Sequence, residues 1–230
     1  MKVARTYHTA TLLGNGQVLV AGGRGIGNPN IVSAELYDPT TGTFSYTGNL
    51  NTPRDYAAAV LLPGGDVLIV GGEEKVGVYE TCLSSAELYN PSTGTFADTG
   101  SLNSARCLPA ATLLNTGKVL ITGGSTAELY DPSSGTFNNT GSPVVSRGAH
   151  TATLLGNGEV LLAGGQDPSG NYLASAEIYN PATGTFTQTG DAHITCLCQR
   201  HVDGQWERSG RRRMDLCSPG VPDSLRGRSV

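Results

Sequence analysis

Four soft donors fall within nine residues near the C-terminus: His193, Cys196, Cys198 and His201. Two thiolates and two imidazoles at this spacing are a donor set for Zn²⁺ or Cu⁺, and they form the candidate metal site of the chain. His8 and His150 recur at one place in a repeated HTATLL segment, but no carboxylate or thiolate lies at suitable spacing beside them. They read as hydrogen-bonded strand residues rather than as ligands. There is no GxSxG, no HExxH and no Gly-rich loop ending in Lys-Ser/Thr. The chain therefore reads as a non-catalytic protein without a cofactor.

The most regular charged residues are Arg5, Arg54, Arg106 and Arg147, each paired in order with Glu35, Glu87, Glu128 and Glu177. One arginine and one glutamate per repeat suggest an ion pair, within a repeat or between neighbours, because a buried glutamate needs a partner. A ring of arginines gripping an anionic ligand is the functional alternative. Net charge is −4, divided as 8 Lys+Arg against 14 Asp+Glu over residues 1–190 and 7 Arg against 5 acids over 191–230. An acidic repeat body excludes a non-specific nucleic-acid binder, which needs clustered positive charge.

These residues sit in a fourfold phrase: AELYDPTTGTF (34–44), AELYNPSTGTF (86–96), AELYDPSSGTF (127–137) and AEIYNPATGTF (176–186). Each copy is preceded by an HTATLL-type segment and then by VLVAGG, VLIVGG, VLITGG or VLLAGG. Successive glycine pairs lie 49, 52 and 41 residues apart, from Gly22 to Gly71 to Gly123 to Gly164, the range of repeat arrays. The segments are short, rich in β-branched and aromatic residues, and separated by turn chemistry. GNGQ, PGGD, NTGK and GNGE supply positive-φ residues for tight hairpins, and DPTTG and its relatives supply Pro entry and Gly exit. Each unit is thus a four-stranded antiparallel meander, A-B-C-D. Strand B is apolar at consecutive positions, so both its faces should be dry and the sheets must stack. Radial stacking of such sheets is a β-propeller.

The di-glycine after an apolar strand, the following Tyr (Tyr37, Tyr89, Tyr130, Tyr179) and the aromatic after it (Phe44, Phe96, Phe137, Phe186) resemble the kelch repeat. That family usually places Trp at the last position. The YDPxTGTF phrase is similar to the variant of bacterial kelch proteins and galactose-oxidase-like propellers. The resemblance implies an all-β propeller of four blades at about 3–48, 53–100, 105–141 and 146–190, within a repeat domain of residues 1–190. Kelch rings usually hold six or seven blades. Four blades either close by packing the last on the first or leave an incomplete ring whose exposed faces drive self-association. Residues 191–230 carry no repeat and hold the only Trp, Trp206. They read as a disordered tail or as an out-of-frame ending.

In such a meander the B–C and D–A connections share one end. The A–B and C–D hairpins at the other end are nearly invariant, whereas the B–C connections vary from ST (125–126) to EEKVGVYETCLSS (73–85). Variable loops on a fixed scaffold point to recognition of a protein or glycan. Arg24, Asn28, Glu73, Glu74, Lys75, Tyr79, Asp167 and Tyr172 are the candidate binding residues. The resemblance also implies an alternative, a fragment of a radical-copper oxidase or sugar epimerase, and a truncated product without its own function is the third reading. Copper oxidases need paired histidines and a cysteine linked to a tyrosine, a set that does not map onto this sequence. Five cysteines are no disulfide framework, and Cys82 and Cys107 can pair or stay reduced. No signal segment and no apolar run near the roughly 18 residues of a membrane span occurs, so the chain as written reads as cytoplasmic, with no membrane partner.

Overall fold

Each repeat folds where its turn residues allow. In the first A–B hairpin the Leu13 N–H donates to the Gln17 carbonyl at 2.8 Å, and Gly16 takes a φ of 85°, a region that side chains disfavour. The computed structural model describes residues 1–27 and 30–189. Blade 1 comprises β1 (Thr9–Leu12), β2 (Val18–Ala21), β3 (Ser33–Asp38) and β4 (Thr43–Asn49), hydrogen-bonded in that order. Blade 2 runs through β5 (Ala58–Leu61) and β6 (Val67–Val70). It then makes a two-stranded excursion, β7 (Glu73–Val76) with β8 (Tyr79–Cys82), before β9 (Ala86–Asn90) and β10 (Thr95–Asp98). Blade 3 holds β11 (Ala110–Leu113), β12 (Val119–Thr122), β13 (Glu128–Asp131) and β14 (Thr136–Asn139). Blade 4 holds β15 (Thr151–Leu154), β16 (Val160–Ala163), β17 (Ala176–Asn180) and β18 (Thr185–Gln188). All pairings are antiparallel, giving four meanders stacked as propeller blades.

The apolar B strands form three cores, one between each successive pair of blades. Leu19 and Ala21 of blade 1 meet Val67, Ile69 and Tyr89 of blade 2. Leu68 and Val70 meet Val119, Ile121 and Tyr130. Leu120 meets Val160, Leu162 and Tyr179. The sequence predicts two dry faces for every B strand, and β6 and β12 are buried at every position. The last one, β16, instead alternates buried and half-exposed residues, because its second face has no following blade in the described residues. The inner strands adjoin in the order β1, β5, β11, β15, and no contact of like extent links β15 back to β1.

Three hydrogen-bond links recur at each junction. The second glycine of a pair donates its N–H to the next blade's repeated arginine: Gly23 to the Arg54 carbonyl (2.9 Å), Gly72 to Arg106 (2.9 Å) and Gly124 to Arg147 (2.8 Å). A Cβ on Gly72, whose φ is 91°, would collide with the Asp55 carbonyl, so only glycine fits. Gly48, Gly100 and Gly141 donate N–H to the carbonyls of Gly94, Gly135 and Gly184, at 2.9, 3.0 and 2.9 Å. The hydroxyls of Thr47, Thr99 and Thr140 bond those of Tyr89, Tyr130 and Tyr179 at 2.8, 2.9 and 2.9 Å.

Candidate functional site

Beneath the B–C and D–A connections lies a buried charged layer. Within each repeat, arginine Nη2 meets glutamate Oε1: Arg5 with Glu35 at 2.9 Å, Arg54 with Glu87 at 2.9 Å, Arg106 with Glu128 at 3.0 Å and Arg147 with Glu177 at 2.7 Å. Each Nη1 also donates to the carbonyl of the first glycine of the pair, that is Gly22, Gly71, Gly123 or Gly164. The glutamate accepts two successive backbone N–H groups of the entering D–A segment, such as Asn51 (2.7 Å) and Thr52 (3.0 Å) at Glu87. Burial pushes the Glu35 carboxyl up, but bonds from the Lys2 N–H, Arg5 and the Val3 N–H outweigh it and hold it below the usual range. These eight side chains are nearly inaccessible, and they shape the loops from below.

Above that layer, Arg24 is the centre of a network on blades 1 and 2. Its guanidinium bonds the carboxylates of Asp55, Glu73 (3.1 Å) and Glu80 (2.8 Å), and lies 5.6 Å from the Tyr56 ring centre. Burial raises the Glu73 carboxyl, and repulsion from Glu80 adds to it. Asn30 ties the first B–C loop to the β7–β8 hairpin, bonding both the carbonyl and the N–H of Lys75 at 2.6 and 3.1 Å. Glu74 and Lys75 lie on β7, and Tyr79 is largely exposed on β8. The structure thus brings Arg24, Glu73 and Lys75 into one patch. Asp167 and Tyr172 lie on blade 4. Asp167 is engaged in its own turn, accepting from Asn171 Nδ2 and from the N–H groups of Asn171 and Ser169, each at 2.9 Å. Those bonds, the Asn171 side chain first, hold its carboxyl below the ordinary value. Asn28 lies outside the described residues, as do His193, Cys196, Cys198 and His201.

Sequence reasoning passed over several residues of this face. Tyr7 and Tyr56 stack at 4.1 Å with left-handed backbones, φ 56° and 50°, a costly state for an aromatic residue. Both stand two residues after the repeated arginine, a signal visible in the sequence. They line a cavity of about 290 Å³ with His8, Leu108, Pro109 and Ala149. Burial, then the adjoining Tyr7, push the Tyr56 hydroxyl up to about 12. The second B–C connection, a variable loop by its sequence, holds the β7–β8 hairpin. It forms strands because Gly77, at φ 66°, lets EEKV fold back onto YETC. Cys82, at its end, is disulfide-bonded to Cys107 across blades 2 and 3, with Cα atoms 4.4 Å apart. A second cavity of about 270 Å³ lies beside this bond, against Cys107, Arg147 and Gln166.

His150 is buried, and its Nε2 bonds the Thr122 hydroxyl at 2.8 Å. Burial first, then Arg147, lower it to about 4, whereas an unfolded histidine titrates near 6.5. Below pH 6.5 the unfolded state therefore binds a proton that the folded state refuses, and stability is lost as pH falls from about 6.5 through about 4. His150→Gln should flatten this slope, measured as melting temperature between pH 7 and pH 4.5; an unchanged slope would contradict the assignment. Burial and then Arg5 lower His8 in the same direction. Among the described residues no three His, Cys, Asp or Glu side chains converge as metal ligands.

Four stacked A-B-C-D meanders, with one buried Arg–Glu pair under each loop end, define a repeat-built propeller. Residues 147–191 match the family model of the kelch motif. An F-box/kelch-repeat protein of Arabidopsis thaliana is 33% identical over 98 residues, 42% of this chain. The matched stretch spans 24% of that relative's length. The solved structure of YjhT superposes with a TM-score of 0.69 at 13% identity, covering 84% of this chain and 69% of that one, a likeness of fold. The fourth repeat thus carries a kelch motif, and the fold as a whole is that of a kelch-type β-propeller.

Proposed function

We propose that the protein is a non-catalytic binding module whose B–C and D–A loop face docks a protein partner. One observation carries this reading: exposed large apolar side chains concentrate there. Ile26, Val76, Val78, Tyr79 and Tyr172 lie on B–C connections, and Tyr7 and Val144 on D–A connections, all of them exposed. The opposite hairpin end carries polar turns such as Asn15-Gly16-Gln17 and Asn157-Gly158-Glu159. Aromatic and aliphatic anchors rimmed by charge are the usual composition of an interface core. The Arg24 network and the disulfide stiffen the hairpin that carries Val78 and Tyr79, which lowers the entropy lost on docking. The likeness to an F-box/kelch-repeat protein supports an interaction role.

The test is paired affinity capture with the wild type, with Val78→Ser/Tyr79→Ser, and with Asn157→Ser on the hairpin end as control. A protein retained by the wild type and the control should bind the double variant at least tenfold more weakly, without a change in melting temperature. Equal retention by all three would move the binding surface elsewhere.

A further inference from the structure

Two exposed large apolar residues belong to neither loop cluster: Leu12 and Tyr46, 63% and 59% accessible. Both lie on one face of blade 1, together with Val18, Tyr37 and Phe44. In blades 2 to 4 the corresponding face is covered by the blade before it. Leu61, Leu113 and Leu154 stand where Leu12 stands, and each packs in an inter-blade core with the preceding blade's Leu19, Leu68 or Leu120. Tyr89, Tyr130 and Tyr179 have no accessible surface, whereas Tyr37 at the same place is half-exposed. The linking groups are repeated too: the Tyr37 hydroxyl and the Gly42 and Arg5 carbonyls correspond to the groups that hold each later blade to its predecessor. Blade 1 thus presents the receiving half of a junction that the chain builds three times.

Blade 4 presents the other half. Leu161, Ala163 and Ile178 repeat the places of Leu19, Ala21 and Leu36, which face blade 2 from blade 1. Thr153 repeats the place of Thr112, whose hydroxyl reaches the Ala152 carbonyl of the next blade at 3.5 Å. The sequence pair Thr189-Gly190 is the fourth copy of Thr47-Gly48. The two halves are not joined within one chain as the internal junctions are: Leu12 and Thr153 stay exposed, and no contact like that of β11 with β15 links β15 to β1.

We propose that a second copy of this chain covers the blade 1 face, its blade 4 seated head to tail as each blade sits on the next inside the chain. Continuity with the three internal junctions selects this occupant: the complementary apolar set belongs to the repeat, and a second copy carries it. The contact is heterologous, so it closes only if the rotation per blade returns to the start. Two copies of the four described blades give eight, a number at which propellers close.

The experiment is sedimentation velocity of the full chain from about 1 to 100 µM, comparing wild type with Leu12→Arg and Thr153→Asp. Both positions are exposed, so neither change disturbs folding; far-UV circular dichroism checks this. The wild type is expected to associate, and each single variant to weaken association at least tenfold. An equimolar mixture should recover it, because one junction then joins two wild-type faces. A wild type that stays monomeric throughout overturns the proposal. So does an assembly that Thr153→Asp leaves intact, which would mean a symmetric contact through blade 1 alone.

Discussion

Glu87→Ala is expected to lower the unfolding free energy by about 3–5 kcal/mol, read from urea denaturation at neutral pH. Glu87 has no accessible surface and binds Arg54 Nη2 at 2.9 Å, the Asn51 N–H at 2.7 Å and the Thr52 N–H at 3.0 Å. Its removal leaves one buried guanidinium without a counter-charge and two partly buried backbone donors without their acceptor. Glu87→Gln keeps the shape but not the charge, and should fall between. An apolar double replacement of Arg54 and Glu87 should not restore stability, although such swaps are neutral where an ion pair stands alone. Here Arg54 also holds the Gly71 and Ser85 carbonyls at 2.9 and 3.0 Å, so the pair is part of the backbone's hydrogen bonding. A loss under about 1 kcal/mol for Glu87→Ala would show that the pair does not carry the blade.

Leu68→Ala should cost about 3–5 kcal/mol, while Leu161→Ala, at the same place in blade 4, should cost roughly 1 kcal/mol. Leu68 is wholly buried between blades 2 and 3, and truncation leaves a cavity that two stiff sheets cannot collapse to fill. Leu161 is half-exposed, so its loss removes less contact and opens to solvent. The comparison holds residue type, strand and turn context constant and varies only the neighbour. It is made by denaturation at low protein concentration, where a second copy contributes least. Equal costs would mean that the second face of blade 4 is covered as fully as that of blade 2.

Strands and hairpins were legible because their signals are local. Asn-Gly and Gly-Gly steps, the Pro-to-Gly turns and consecutive apolar residues act over a few residues, and the structure places β1 to β6 and β9 to β18 where those signals stand. The regular spacing of Arg and Glu pointed to pairing, but could not separate a partner in the same repeat from one next door. Tertiary structure decided this: Arg54 Nη2 reaches Glu87, 33 residues on, because β9 is paired with β6 inside one sheet. The same cause hid the Arg24 network, where Asp55, Glu73 and Glu80 come from other connections. It also hid the choice between free and paired cysteines, since the approach of Cys82 to Cys107 depends on how blades 2 and 3 stack.

By itself, then, the sequence determined a fourfold array of antiparallel meanders that must stack, since a B strand apolar on both faces is unstable with either face in water. Only the tertiary structure decided which of those faces find a neighbour. Burial is a property of what lies across the interface: among the described residues, Leu68 has a following blade against it and Leu161, the same residue at the same place, has none.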